Sequence, residues 1–483
     1  MPIRRVDSPL EQIVMNMNCV NLKPGLWILP IVLSLLLTTI PLGAQQIERT
    51  DTLRISIGEA VARALEGSEE IAAARATVSQ AASQVTQATA AALPQLTSSL
   101  TYNRAIKTIF DDIDFGPPAD SAGDSSSDLF SDLPFGRPNT YIATLQLSQL
   151  LFAGGSVGAA RQVARRFQSA ADDQLTEAQL DLTYQIRVAY LNAAAAQSLH
   201  EIALESQRVA FAHLQQVESF YQAGTASEFD LLRARVDYEN RDPPVVQAAN
   251  AAELGLLELK RLVNLPTDQP VVLTTSQHPE MVDVDEQLLA NLVEQRPALH
   301  AAHETVLMRQ AAIAVYSGQR LPSLRLIGNL GFQAFPQTVA PPGFEEWRKD
   351  WSISLAASWT PFDGFRTRGQ IGQARAQLQQ AEAQESQLRE ALEVETAAAM
   401  AEYRMARAQI EAREQTERMA ERALQLADAR FGNGLSTQLE VSDAALLLDE
   451  ARVNRVQAMY DYMKALAQLE RLSGGRLELL RLP

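Results

Sequence analysis

The chain is nearly without cysteine: of 483 residues only Cys19 carries a thiol. It lies ahead of the apolar run "LWILPIVLSLLLTTI" (Leu26–Ile40), which Lys23 precedes and "LGAQQ" follows. A basic start, an apolar core and a small-residue exit read as a secretory signal peptide over residues 1–44, with cleavage expected after Ala44. Met15 or Met17 would give that signal a more ordinary start. The competing reading is a single membrane anchor, for which the run is short. Cleavage would leave a chain with no cysteine, which excludes disulfides and thiol chemistry from the mature protein. Stability must then come from packing and assembly.

Positive charge is also scarce. Forty-two Lys and Arg face 58 Asp and Glu, a net −16. Without Arg4, Arg5, Lys23, Asp7 and Glu11 the balance is 39 against 56, or −17. Such a surface argues against nucleic acid, which requires clustered cations. Catalytic signatures are missing as well: there is no H-E-x-x-H, no G-x-S-x-G and no phosphate loop. "FAGGSVG" is glycine-rich but lacks the lysine of a phosphate loop. His300 and His303, at i and i+3, have no third metal ligand near them. No enzyme activity, cofactor or metal is therefore expected. Beyond Leu26–Ile40 no apolar run is long enough to span a bilayer as a helix.

What is present is a duplication. "LFAGGSVGAARQVARR" from Leu151 aligns with "PFDGFRTRGQIGQARA" from Pro361, placing Phe152 on Phe362, Gly154 on Gly364 and Arg165 on Arg375, at an offset of 210. "YQAGTASEFDLL" (Tyr221–Leu232) aligns with "FGNGLSTQLEVS" (Phe431–Ser442) at the same offset. Upstream, "LPQL" (Leu93–Leu96) matches "LPSL" (Leu321–Leu324) at an offset of 228. Each half reads helix, strand, loop, strand, long helix, turn, helix. The repeats are set at 45–262 and 281–475, with linker 263–280 and tail 476–483.

Residues 96–103, 141–149, 324–332 and 351–359 alternate apolar and polar side chains, the pattern of two-faced strands. Their lengths and aromatic ends suit an outer-membrane barrel. Four strands cannot close a barrel in lipid, and open edges there are not tolerated, so several chains must pool strands; three would give twelve. An ordinary sheet on a soluble core is the alternative.

The helical stretches 155–218 and 373–431 are free of proline and rich in alanine. Sixty residues would span about 90 Å. The small, spread apolar residues fit helices packed side by side in a curved wall, where a coiled-coil rod would show larger a and d residues. "TPFDGF" and "LLFAGG" mark the joints from strand to helix, with Pro361 ending the strand and Gly154 and Gly364 allowing the bend.

Signal peptide, duplicated halves and paired glycine turns together resemble the TolC-type outer-membrane efflux channels over roughly 52–475. The resemblance implies a mainly α protein with a membrane β component: a homotrimer whose twelve-stranded barrel sits in the outer membrane, continuous with a long periplasmic α-helical barrel. It implies a passive exit duct for an efflux or type I secretion system, coupled through a periplasmic adaptor to a proton-driven or ABC-type inner-membrane pump. A non-transporting periplasmic or cell-surface structural protein is the competing function. The two helix–turn–helix tips, with Gly224, Thr225 and Ala226 in the first and Gly434 and Leu435 in the second, are where an adaptor would dock.

Carried onto the second tip, the family's ring of entrance acids falls on Glu440 and Asp443, which share a helix face. Threefold repetition would place six carboxylates in a narrow mouth and favour cations. A merely solvated helix face is the plainer account of both. The tyrosine and arginine that latch the mouth in the best-known members are here Phe431 and Ser436, so a gate of that kind is in doubt, although Arg430 and Asp230 lie nearby. Pro243 and Pro244 should break the helix after the first tip, with no counterpart in the second half. The loop 104–140 carries seven aspartates without calcium-loop spacing and reads as an exposed surface loop.

Overall fold

The computed structural model describes residues 52–107, 137–274 and 281–477. The expected signal segment, the Asp-rich stretch 111–132, residues 275–280 and the last residues of the tail lie outside them.

The duplication sets the architecture. In the first half β1 (Leu53–Ile55) leads into α1 (Ile57–Gly67) and α2 (Glu69–Ala90). Strands β2 (Gln95–Arg104) and β3 (Asn139–Ala153) follow, then the long α3 (Ser156–Gln222) and the pair α4 (Glu228–Glu239) and α5 (Asp242–Leu262). After β4 (Val271–Leu273) the second half repeats the order. It runs α6 (Glu286–Val293), α7 (Pro297–Gly318), β5 (Ser323–Ala334), β6 (Arg348–Ser358), α8 (Arg366–Gly432) and α9 (Gln438–Leu472). Helices α3 and α8 each hold 67 residues and begin and end 210 apart. At 1.5 Å per residue each is about 100 Å long.

The four long strands form one antiparallel sheet in the order β2-β3-β5-β6. Its register keeps the alternation in phase across all four. Leu96 lies opposite Leu147, Leu147 opposite Gly328 and Gly328 opposite Ile353. The neighbouring row is Thr97, Gln146, Asn329 and Ser352. One face is therefore apolar and the other polar from edge to edge, and a slip of one residue would invert it. The register puts Gly331 on the polar face opposite Asp350, where a Cβ would stand 2.3 Å from an Asp350 carboxylate oxygen. Both edges, β2 and β6, are exposed along their whole length.

Three details depart from the sequence reading. Strand β3 runs on through Phe152 to Ala153, with an irregularity between Leu150 and Phe152 that leaves Leu151 without a partner across β5. Phe152 is thus the end of a strand rather than the start of a turn. Strand β6 stops at Ser358, ahead of Pro361, so the proline sits inside the connection and does not itself end the ladder. The segment 263–280, read as plain linker, contains β4, which pairs in parallel with β1. Helices α1 and α6, short and amphipathic, were likewise outside the reading.

The break at Pro243–Pro244 is present. Helix α4 ends at Glu239 and α5 opens with both prolines in its first turn, where a missing N–H costs nothing. The equivalent stretch of the second half is the unbroken α9.

Two apolar clusters hold the helices together, and the repeat relates them. In the first, Leu182, Ala189 and Tyr190 of α3 pack with Ile57, Ala60 and Ala64 of α1 and with Val456 and Met463 of α9. In the second, Leu392, Ala399 and Met400 of α8, each 210 residues on, pack with Leu289 and Val293 of α6. Each fully buried large apolar side chain contributes about 1.5–3 kcal/mol. The Tyr190 hydroxyl reaches the carbonyls of Ile55 at 3.0 Å and Thr274 at 3.1 Å, fixing the β1–β4 pair to α3. Between the clusters runs an ionic hub. Arg296, 3% exposed, is held by Glu177, while Arg471 bonds to Asp181 at 2.5 Å and to Glu395 and lies over the Tyr184 ring.

Candidate functional site at the helical tips

The two tips are built by one piece of backbone chemistry used twice. Two residues past the end of α3 stands Gly224 at φ +75°, and two past the end of α8 stands Gly434 at φ +69°. In the first tip Thr225 N–H donates to the Phe220 carbonyl (2.9 Å) and Gly224 N–H to Tyr221 (2.9 Å). In the second, Leu435 N–H donates to Arg430 (2.8 Å) and Gly434 N–H to Phe431 (2.9 Å). This is the Schellman arrangement, which satisfies the last carbonyls of the helix and needs a left-handed residue at that point. A side chain would strain it.

The outgoing helices are capped at once. The Ser227 hydroxyl accepts from the Asp230 N–H at 3.1 Å, and the Asp230 carboxylate accepts from Ser227 in return. In the second tip the Glu440 N–H reaches the Thr437 hydroxyl at 3.4 Å. Asp230 and Glu440 are repeat mates at the third helical position, and a carboxylate there also meets the positive end of the helix dipole. Asp230 is thereby committed to its own cap. Gln438 is buried between the tips; with its amide oxygen and nitrogen exchanged it donates to the Asp230 carbonyl (3.1 Å) and accepts from the Ala234 N–H (3.0 Å). A groove of about 450 Å³ between the tips is lined by Thr225, Ala226, Phe431, Gly434 and Ser436, among others.

Glu440 and Asp443 stand exposed on one face of α9, one turn apart. Glu440 has a loose ion pair with Arg430, 3.9 Å away. Phe431 stacks on His213 (centroids 5.3 Å apart) and on Phe220 (5.7 Å). The Ser436 hydroxyl donates to the Ala427 carbonyl at 3.4 Å, within its own tip. Phe431 and Ser436 thus serve packing inside the protomer. Leu435 projects into solvent beside them.

Above the tip lies a polar layer that sequence reading did not assemble. A cavity of about 310 Å³ separates α3, α4, α8 and α9. Arg241 crosses it, bonding to Asp449 at 2.5 Å and to the Ser206 hydroxyl at 2.6 Å, while Asp237 lies 3.4 Å away. Burial holds His213 below the ordinary histidine range, against the opposing pull of Asp428 and Asp237. Burial also pushes the Asp428 carboxyl up. These residues come from four helices and from the α4–α5 connection that carries Arg241, and no spacing along the chain brings them together. Only Arg241, two residues ahead of Pro243, stood beside a visible signal.

The strand-to-helix joints repeat in the same way. Gly154 (φ +60°) and Gly364 (φ +66°) occupy matching left-handed positions. At Gly154 a Cβ would lie 2.2 Å from the Gly318 carbonyl oxygen, so glycine there serves close approach as well as φ. Pro361 and Phe362 lie in the matching connection. Among the described residues, no group of three or more His, Cys, Asp or Glu is placed to hold a metal. No described helix is long and apolar enough to cross a membrane.

A two-faced sheet with open edges, joined directly to paired helices of about 100 Å, defines a protomer of the channel-forming outer-membrane class. The chain belongs to the outer membrane efflux protein family, whose model matches residues 60–265 and 288–475, one segment in each repeat. It is similar to protein CyaE of Bordetella pertussis, 27% identical over 296 residues, which is 60% of this chain and 62% of that protein. Among solved structures it resembles the CmeC outer membrane channel of Campylobacter jejuni. The TM-score is 0.73 at 18% identity, covering 88% of this chain and 86% of that one. It also resembles the outer membrane protein VceC of Vibrio cholerae, with TM-score 0.71 at 20% identity, covering 86% and 96%.

Proposed function

We propose that this chain is the outer-membrane subunit of an efflux or secretion assembly, a passive duct for cargo driven by an inner-membrane pump. The observation that carries the reading is the sheet: its faces are sorted edge to edge into apolar and polar, and the outer edges of β2 and β6 have no strand partner among the described residues of the protomer. In lipid such edges must be closed, and three copies give a twelve-stranded barrel. The helices would continue the barrel as a periplasmic tube. A periplasmic adaptor would seat its own helical hairpin in the grooves at Gly224–Ala226 and Gly434–Leu435.

At the narrow end Glu440 and Asp443, repeated three times, form an acidic mouth. Their exposure on one helix face supports this reading, and the loose contact to Arg430 leaves Glu440 mostly uncompensated. Phe431 and Ser436 close nothing between protomers by polar links; the tip is held instead by the aromatic stack inside each one. Planar-bilayer recording tests the mouth. The reconstituted channel is expected to prefer cations and to be blocked by a trivalent cation added at the helical end. The double variant Glu440→Gln, Asp443→Asn should lose most of that block. Undiminished block in the double variant would reduce both acids to a solvated face.

A further inference from the structure

One charge on the polar face of the sheet has no use inside the protomer. That face is mostly serine, threonine, asparagine and glutamine, and its charged residues are Arg348, Asp350 and Arg325. Arg348 and Asp350 stand at the β5–β6 loop end, whereas Arg325 stands alone at the helix end. Its row holds Leu150 and Ala356, and the rows on either side bring only serines and Ile327. Asp350 faces Gly331, six residues along β5 from Arg325 and about 20 Å away. Arg325 is exposed, and among the described residues it makes no ion pair and no side-chain hydrogen bond.

The duplication supplies a control. At the offset of 228 that relates Leu93–Leu96 to Leu321–Leu324, the residue matching Arg325 is Thr97. Thr97 lies on the same polar face, in β2. The first repeat therefore builds its strand without the charge, and the fold does not require it.

Three further features converge on Arg325. The irregularity of β3 falls opposite it: Leu150 is its partner, and after the skipped Leu151 the next pair is Phe152 with Leu324. Such irregularities re-aim side chains and recur beside functional sites. Leu150 and Ile327 are also two of the three large apolar residues on that face, the third being Ile142 toward the loop end. One lies across from Arg325 and the other next to it on the same side of β5. Finally, a chain of net charge −16 keeps acids away from this level. Residues 155–171, 305–344 and 364–381 contain arginines but no Asp or Glu. Asp363, just ahead of the last stretch, is engaged by the Thr367 N–H at 2.9 Å and hydroxyl at 2.5 Å.

We propose that Arg325, with Leu150 and Ile327, is a recognition station for amphiphilic organic anions on the duct wall at the helix end of the barrel. A guanidinium offers paired N–H donors to a carboxylate, sulfonate or phosphate, and the two aliphatic side chains receive the apolar body beside it. Threefold assembly sets three stations at one level. They stand about 100 Å from Glu440 and Asp443, the length of α8, and screening acts within about 8 Å, so the two charged levels work independently. Cargo driven past the acidic mouth reaches this level on its way out. The inference rests on the reading that the sheet spans the membrane with its polar face inward.

Planar-bilayer recording of the assembled channel tests it. Naphthalene-2-sulfonate is added on the barrel side, with methanesulfonate as the anion of equal charge that lacks the apolar body. The naphthalene compound should block the current and methanesulfonate should not. Arg325→Thr installs the first repeat's residue, and it should weaken the block roughly tenfold, the worth of one charge-assisted pair, with the subunit count unchanged. Leu150→Ser keeps the charge and should also weaken the block. Equal block in the parent and Arg325→Thr, or no difference between the two sulfonates in the parent, overturns the station while leaving the duct in place. The membrane reading has its own readout: a water-soluble thiol reagent should modify Ser354→Cys and spare Leu355→Cys. Modification of Leu355→Cys would take the sheet out of the bilayer, and the station with it.

Discussion

Two glycines two residues apart at the second tip have opposite requirements. Gly434 must hold φ +69° to close the Schellman turn, whereas Gly432 lies in the last turn of α8 with nothing within 4 Å of a Cβ. Gly434→Ala should cost about 1–2 kcal/mol, the penalty of a left-handed L-residue. Gly432→Ala should gain about 0.5–1 kcal/mol by helix propensity. Hydrogen exchange of the Gly434 and Leu435 amides, which donate the two closing bonds, would register the first as roughly tenfold lost protection. The second should raise protection. His213 makes a prediction of sign. Its pKa in the folded tip lies below the free value of 6.5, so the folded state binds fewer protons than the unfolded one between those values. The contribution of His213 to stability is therefore full above the ordinary histidine range and is lost as pH falls toward its folded pKa. Asp428, raised above 3.8, works the other way: its buried charge is a cost at neutral pH that acid removes. Magnetic-resonance titration should place His213 below 6.5 and Asp428 above 3.8. Asp428→Asn should be the more stable form at neutral pH, and a less stable variant would contradict the assignment of desolvation as the cause.

At the scale of elements, the sheet makes the clearest prediction. Spin labels at Leu355 and Ser354, adjacent on β6, should report lipid and water respectively; water at both would remove the strands from the membrane. The strands and long helices were legible in the sequence because each has one dominant period. Alternation at period two placed 96–103 within β2 and 324–332 within β5, and the proline-free helical stretches 155–218 and 373–431 fall on α3 and α8, although α3 runs on to Gln222 and α8 already begins at Arg366. The short elements were not. Strands β1 and β4 have three residues each and exist because Tyr190 and each other hold them, a dependence on contacts 84 and 135 residues away. Helix α6 is eight residues, too short for periodicity to stand out. The tip turns were legible from glycine followed by a capping serine or threonine. The His213–Phe431–Phe220 stack was not, because its members sit on two helices that only the hairpins bring together.

For the whole molecule, the account turns on assembly. No residue after Cys19 is a cysteine, so cysteines introduced on the strands are readily told apart as reporters. Strands β2 and β6 form the two edges of the protomer's sheet, and closing a barrel requires β2 of one copy to meet β6 of the next. The measurement is therefore subunit counting on the protein extracted from membranes. Ser99→Cys on β2 and Ser352→Cys on β6, both on the polar face, are joined by a short thiol-reactive crosslinker in a single chain carrying both. The account predicts a ladder that ends at three chains, recovered from the outer-membrane fraction, with either single variant giving no such ladder. A soluble monomer that crosslinks only within itself would contradict it.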